Sequence, residues 1–332
     1  MESTNESKEA MTNEPTTLAN EISSKGVYSR HHLVNNVEVG PYASMKPFAS
    51  GNAFMRIVRF HEYGPSYLVS ALACALVARY PVDSRILPVL LFVAVSSIFG
   101  FAINDIADAK LDKQAGKPRN PVASGDLSAA AAWTLVVVLL GVATLSIYLL
   151  NFLNRLLGIL VILLFGGYSF GLRIKARPGL DVVCHASWNA IYGVMAYSVY
   201  RPVDSVGTGL TGMLFLLSML AELANQIRDH DSDRGMIRTT VMWLGKKRAL
   251  KACVVLLFLV LALFVSVVLV GGLPWILLAF SPSIIFLVAP IINALRDEQK
   301  EQELMPAFVN RGTIIGLLLL VTYLAVKIAG AG

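Results

Sequence analysis

The sequence predicts an all-α, polytopic membrane protein, nine transmembrane helices around a central apolar cavity, and three observations carry that expectation. Of 332 residues, 55% are hydrophobic and 15% charged, with a mean hydropathy of +0.63, whereas soluble domains carry about 25% charged residues. Apolar windows near the ~20 residues that a bilayer span requires recur at 63–80, 86–104, 129–150, 154–172, 180–200, 207–226, 249–270, 273–294 and 307–329. Basic residues are also segregated: of the 28 Lys and Arg, only Arg79, Arg85, Arg155, Arg201 and Lys327 fall on one side of this map. The positive-inside rule then places the N-terminus and the basic loops in the cytoplasm and the C-terminus on the opposite side.

Residues 1–50 are rich in Glu, Ser, Thr and Asn and lack an apolar run, so they read as a disordered cytoplasmic tail, leaving 51–332 as the helical domain. The net charge of +6 suits membrane lipid with anionic headgroups and anionic substrates, and nothing in it calls for nucleic acid. Cys74, Cys184 and Cys253 lack paired spacing and read as small apolar core residues.

Arg56, Arg59, His61 and Glu62 precede the first window and fit an interfacial entry whose Arg side chains snorkel toward water. The second window delivers Asn104-Asp-Ile-Ala-Asp108-Ala-Lys-Leu-Asp112. Positions 105, 108 and 112 are related as i, i+3 and i+7, so a continuing helix puts all three acids on one face. Like charges beside the negative end of a helix dipole repel one another and the dipole, which calls for bound positive charge.

The loop that follows, Lys113 to Ser128, mixes Lys117 and Arg119 with Pro and Gly, and Ser128 is placed to cap the third helix. Between the fourth and fifth helices, Tyr168 leads into a loop with Arg173, Lys175 and Arg177. The fifth helix presents His185, Trp188, Asn189 and Tyr192 on one face, either as interhelical glue or as a chamber lining. The sixth ends in Asn225, Asp229 and Asp233 at i, i+4 and i+8, with Glu222 one turn earlier. Pro282 and Pro290 are expected to kink the eighth helix, and Asp297, Glu298, Glu301 and Glu303 read as a solvated connector. Acid-tipped helices four apart suggest two units in the same orientation, facing each other across a cavity.

Mg²⁺ prefers oxygen ligands and is commonly held by carboxylates together with substrate phosphates. Two facing carboxylate arrays therefore suit a metal-clamped diphosphate, with Lys117, Arg119, Lys175 and Arg177 available to neutralise a diphosphate leaving group. An apolar chamber would hold an isoprenoid tail and keep water from an allylic cation.

The pair Asn104-Asp-x-x-Asp108-x-x-x-Asp112 and Asn225-x-x-x-Asp229-x-x-x-Asp233, with Tyr168 and the Lys175/Arg177 loop between them, resembles the UbiA superfamily of intramembrane prenyltransferases over roughly residues 51–330. The resemblance implies Mg²⁺ on Asp105, Asp108 and Asp112 in one site and on Asp229 and Asp233 in a second. It further implies Asn104 on metal or phosphate, Asn225 on diphosphate, and Lys117, Arg119 and Lys175 on diphosphate oxygens. Many members have Arg-Pro where this chain has Arg119-Asn120-Pro121, so the base that meets phosphate in that loop stays open. The activity implied is transfer of an isoprenyl group from a polyprenyl diphosphate donor to a lipophilic acceptor, aromatic or a quinone precursor. Two alternatives share the residues: a cyclase of the same superfamily, in which the cation closes on itself, and a cation-coupled transporter, against which the terminal placement of the acids argues.

Overall fold

A computed structural model describes residues 52–114 and 119–330; the tail expected over 1–50, and Lys117, lie outside them. Among the described residues there are α-helices and short 3₁₀ turns but no strands. The helices are α1 (Ala53–Val58), α2 (Phe60–Ala78), α3 (Leu87–Gln114), α4 (Pro121–Ser124), α5 (Ala129–Tyr148) and α6 (Phe152–Ser169). They continue as α7 (Leu180–Ser198), α8 (Ser205–Asp233), α9 (Thr240–Leu244), α10 (Lys246–Leu269), α11 (Ile284–Arg296) and α12 (Glu301–Ala329).

Every expected window is helical, but the count of nine spans is not reached by length and composition: among the described residues, 7 helices are long and apolar enough to cross a membrane. The apolar part of α2 is shorter, Tyr63–Ala78, and α7 is interrupted by Asp181, His185, Ser187 and Asn189. The eighth window breaks at Pro282, whereas Pro290 lies inside a continuous α-helix, Ile284–Arg296. Trp275–Ser283 is 3₁₀, with Pro282 inside it, and an α-helix resumes at Ile284, since proline has no N–H to donate.

Packing follows the 3.6-residue period. In α5 the buried positions Ala132, Val136, Leu139 and Ala143 form one narrow stripe, and α5 lies along α3. The rest of its surface, including Val137, Val138 and Leu145, is exposed, as expected where lipid and not water is the solvent. In α6 the stripe is Asn154, Gly158, Val161, Phe165 and Ser169. At its centre Phe165 sits over Gly100, where a Cβ would stand 2.4 Å from Phe165 Cε1. Only glycine admits that approach.

Two cores result. One gathers side chains chiefly from α2, α3, α5, α6 and α7, the other mainly from α8, α10, α11 and the start of α12; α7 against α8 is the main join. Glu301, expected in a solvated connector, is instead buried and accepts from Lys246 Nζ at 2.7 Å, a charge pair that ties α12 to α10.

The N-terminus of α8 is capped by Asp204, whose carboxylate accepts from Gly207 N–H at 3.0 Å and from Tyr197 Oη at 2.8 Å. The Gly207 N–H holds the Asp204 carboxyl below the usual carboxylate range. A folded pKa below the unfolded value of about 4 means that this contribution is present above that pH and is lost as pH falls through the folded value. Asp204→Ala is therefore expected to cost about 1 kcal/mol, read as a lower thermal midpoint in detergent at pH 7, with the gap to the parent closing in acid.

Candidate active site

The helix α3 does not stop at the end of its apolar window but runs on to Gln114. Asp105, Asp108 and Asp112 thus ride its last turns, where their mutual repulsion must be met. Three segments meet it. Arg59, the left-handed residue between α1 and α2 (φ 45°), pairs its guanidinium with Asp105 Oδ1, a carboxylate 1% exposed.

Lys175 reaches in from the loop between α6 and α7. Gly171 (φ 56°) and Arg173 (φ 44°) turn that chain back, so a single 3₁₀ turn, Ile174–Ala176, presents a buried Lys175. Its ammonium donates to Asn104 Oδ1 at 3.1 Å and to Asp108 Oδ1.

Asn120 is the third. It is 1% exposed, and its Nδ2 donates to the Asp105 carbonyl at 2.7 Å and to Asp112 Oδ2 at 2.9 Å. Its Oδ1 accepts from the N–H groups of Val122 and Ala123, capping α4. Pro121 follows at the first helical position, where its missing N–H costs nothing. In this chain the Asn-Pro step therefore aims a donor at the acids.

The second array is carried by α8, which likewise continues to Asp233. Asp229 is held by the neighbouring Arg228 through Nε at 2.8 Å and Nη2 at 2.9 Å. Asn225 Oδ1 is buried and has no hydrogen-bond partner among the described residues.

Consecutive residues at the end of α6 join the two arrays. Ser169 Oγ donates to Asn104 Oδ1 at 3.2 Å, and Tyr168 Oη donates to Glu222 Oε1 at 3.2 Å. The acid-bearing ends of α3 and α8 thus lie at the same end of the bundle. One turn deeper than Asn225, Glu222 also accepts from Gln226 Nε2 at 3.0 Å and faces His185 Nε2 at 3.5 Å. Gln226 in turn donates to the fully buried Asp181, which accepts from Thr240 N–H at 2.7 Å.

Of the residues singled out in the sequence, Asn104, Asp108, Lys175 and, through Ser169, Tyr168 are brought together. Asp105 and Asp112 are turned to Arg59 and Asn120. Arg119 acts electrostatically on Asp105, whereas Arg177 is exposed. Sequence reasoning underweighted Arg59 and missed the partner roles of Asn120, Asp181 and Gln226. The Asn-Pro capping pair was the one local signal for any of them.

Among the described residues no three of His, Cys, Asp or Glu converge closely enough to hold a metal ion. The donor set nevertheless suits Mg²⁺. It is made of hard oxygens, and two of them, Asp105 Oδ2 and Asn225 Oδ1, are buried without a hydrogen-bond partner among the described residues.

Asn120→Asp tests the positioning role: the cap on α4 survives, but the donor to Asp112 is replaced by a fourth carboxylate. It is expected to cost about 2 kcal/mol, more than Asn120→Ser, measured by thermal unfolding in detergent.

Residues 67–312 match the model of the UbiA prenyltransferase family. The 4-hydroxybenzoate octaprenyltransferase of Enterobacter sp. (strain 638) is 30% identical over 177 residues, 53% of this chain and 61% of that one. The digeranylgeranylglyceryl phosphate synthase of Sulfurisphaera tokodaii is 27% identical over 150 residues, 45% of this chain and 54% of the relative. The chain thus spans little more than half the length of these curated relatives. A UbiA homologue from Archaeoglobus fulgidus bound to GPP and Mg²⁺ has the same fold, with a TM-score of 0.64 at 21% identity over 82% of this chain and 99% of the other. With acid-tipped α3 and α8 joined through Tyr168 and Ser169, and with a family match over most of its length, the chain belongs to the UbiA prenyltransferase family.

Proposed function

We propose that this protein transfers an isoprenyl group from a polyprenyl diphosphate to a lipophilic acceptor, aromatic or a quinone precursor, with Mg²⁺ as cofactor. The observation that carries this reading is that two acid-tipped helices, linked through Ser169 and Tyr168, lie at the same end of an apolar bundle, with the ammonium of Lys175 inserted at the first. The relatives' names support it: one acts on 4-hydroxybenzoate, the other makes a prenylated glyceryl phosphate.

In this reading Asp105, Asp108 and Asp112, helped by Asn104, hold one metal group, and Asp229 and Asp233 hold the other, with Asn225 toward the diphosphate. Bound Mg²⁺ supplies positive charge that offsets the charge gathering on the diphosphate as it leaves. The chain's own cations do the rest. Lys175 now spends its donors on Asn104 and Asp108 and exchanges Asp108 for phosphate oxygens when substrate enters. Arg119, Lys117 and Arg177 are assigned the outer phosphate charge, and Tyr168 the floor of the site.

Next to Tyr168 the packing is aromatic, and in this reading it walls the isoprenoid chamber. Tyr63 stacks on Phe101, and Phe165, Tyr168 and His185 surround Trp188. Such walls exclude water and offer π faces to a developing allylic cation. In the same reading the site and the N-terminus face the cytoplasm and the C-terminus lies opposite, which the segregation of basic residues supports.

Asp108→Ala and Asp229→Ala are each expected to lower diphosphate release from an allylic diphosphate by about 100-fold or more while the protein still inserts. Ordinary release in either variant refutes the assignment. Chelation with EDTA should abolish turnover, and added Mg²⁺ should restore it.

A further inference from the structure

The pair formed by His185 of α7 and Glu222, one turn before Asn225 on α8, is linked through Tyr168 and Ser169 to the acid-bearing end of α3. This inference rests on the transferase reading. Three elements converge there. Glu222 of α8 is buried, and one of its oxygens, Oε1, is already committed: Tyr168 Oη donates to it at 3.2 Å and Gln226 Nε2 at 3.0 Å. Those two donors fix the carboxylate and leave Oε2 facing His185 Nε2 at 3.5 Å.

A carboxylate opposite Nε2 selects the tautomer with the proton on Nε2, so the lone pair sits on Nδ1. Nδ1 is buried and has no hydrogen-bond partner among the described residues. Asn189, one turn on along the same face of α7, shows the contrast. Its Nδ2 is spent on Ser218 Oγ at 2.8 Å, binding α7 to α8, while its Oδ1, too, is buried without a hydrogen-bond partner among the described residues.

Helix-joining polar groups saturate one another; here two acceptor atoms on adjacent turns are left over. Two acceptors call for a donor, and the aromatic ring of Trp188 lies 4.6 Å from the imidazole centroid. The donor that matches both atoms chemically is the proton-bearing group of an acceptor molecule.

We propose that His185 is the base of the transfer step and that Glu222 is its positioning residue. The C1–O bond of the donor breaks, and its electron pair leaves with the diphosphate. The acceptor's hydroxyl oxygen or ring carbon bonds to C1. The proton displaced from that atom passes to Nδ1 of His185, whose positive charge Glu222 balances across the ring.

The test uses the full chain in detergent micelles with Mg²⁺, labelled geranyl diphosphate as donor, and total lipid extract of the producing cells as acceptor source. Diphosphate release and prenylated product are measured separately. His185→Gln and Glu222→Gln are expected to lower kcat for product by about 100-fold, the usual worth of a positioned base, with the donor KM within about threefold of the parent. Added imidazole should return at least about tenfold of the activity lost in His185→Ala. Transfer within about threefold of the parent in both Gln variants overturns the proposal. So does a loss confined to KM, which would mark a packing role. Parent protein that releases diphosphate but prenylates nothing overturns the transferase reading itself, a result distinct from either. The Gln variant of Glu222 keeps size and shape, so a fold defect in the His185 variants does not blur the outcome.

Discussion

The interaction on which the site depends is the insertion of Lys175 between Asn104 and Asp108. Three carboxylates within two turns at the negative end of a long helix would unwind it or draw it into water unless cations met them. The chain provides one donor group from each of three separate segments: Arg59 from the bend before α2, Lys175 from the turn after α6, and Asn120 from the loop after α3. Because those donors are distant in sequence, the acid array also acts as a tertiary clamp that fixes the loops of the first core around the end of α3.

A second consequence concerns depth. The network of Asp181, Gln226, Glu222, Tyr168 and His185 lies inside the bundle, where an unsatisfied polar atom is expensive. Almost all its groups are paired through hydrogen bonds at 2.7 to 3.2 Å. That satisfaction lets α7 carry an acid, a histidine and an asparagine through an apolar environment. It is also why α7 falls below the hydropathy of an ordinary span.

What the sequence made legible was local. Both acid arrays follow from i, i+3 and i+4 spacing, which survives any packing, and the helical windows follow from apolar run length. The partners of the acids were hidden because nothing near Arg59 or Asn120 in the chain marks them as neighbours of residue 105 or 112. Glu301 misled for the same reason: in a run of acids it reads as solvated, and only the return of Lys246 across the bundle buries it. The fifth window shows its polar face, His185, Trp188, Asn189 and Tyr192, by spacing alone, but which groups on α8 that face meets depends on packing.

The contact of Phe165 with Gly100 has a reach beyond packing. The phenyl ring rests directly on the backbone of α3, so the distance between α3 and α6 is set by hard contact and has no slack. One turn further along the same two helices, Asn104 meets Ser169, and Tyr168 points the other way toward α8. A methyl group at position 100 would act as a wedge, tilting the end of α6 and parting the relay through Ser169 and Tyr168 that links the acid-bearing ends of α3 and α8. The smallest residue in the chain is therefore the gauge that keeps the two halves in register.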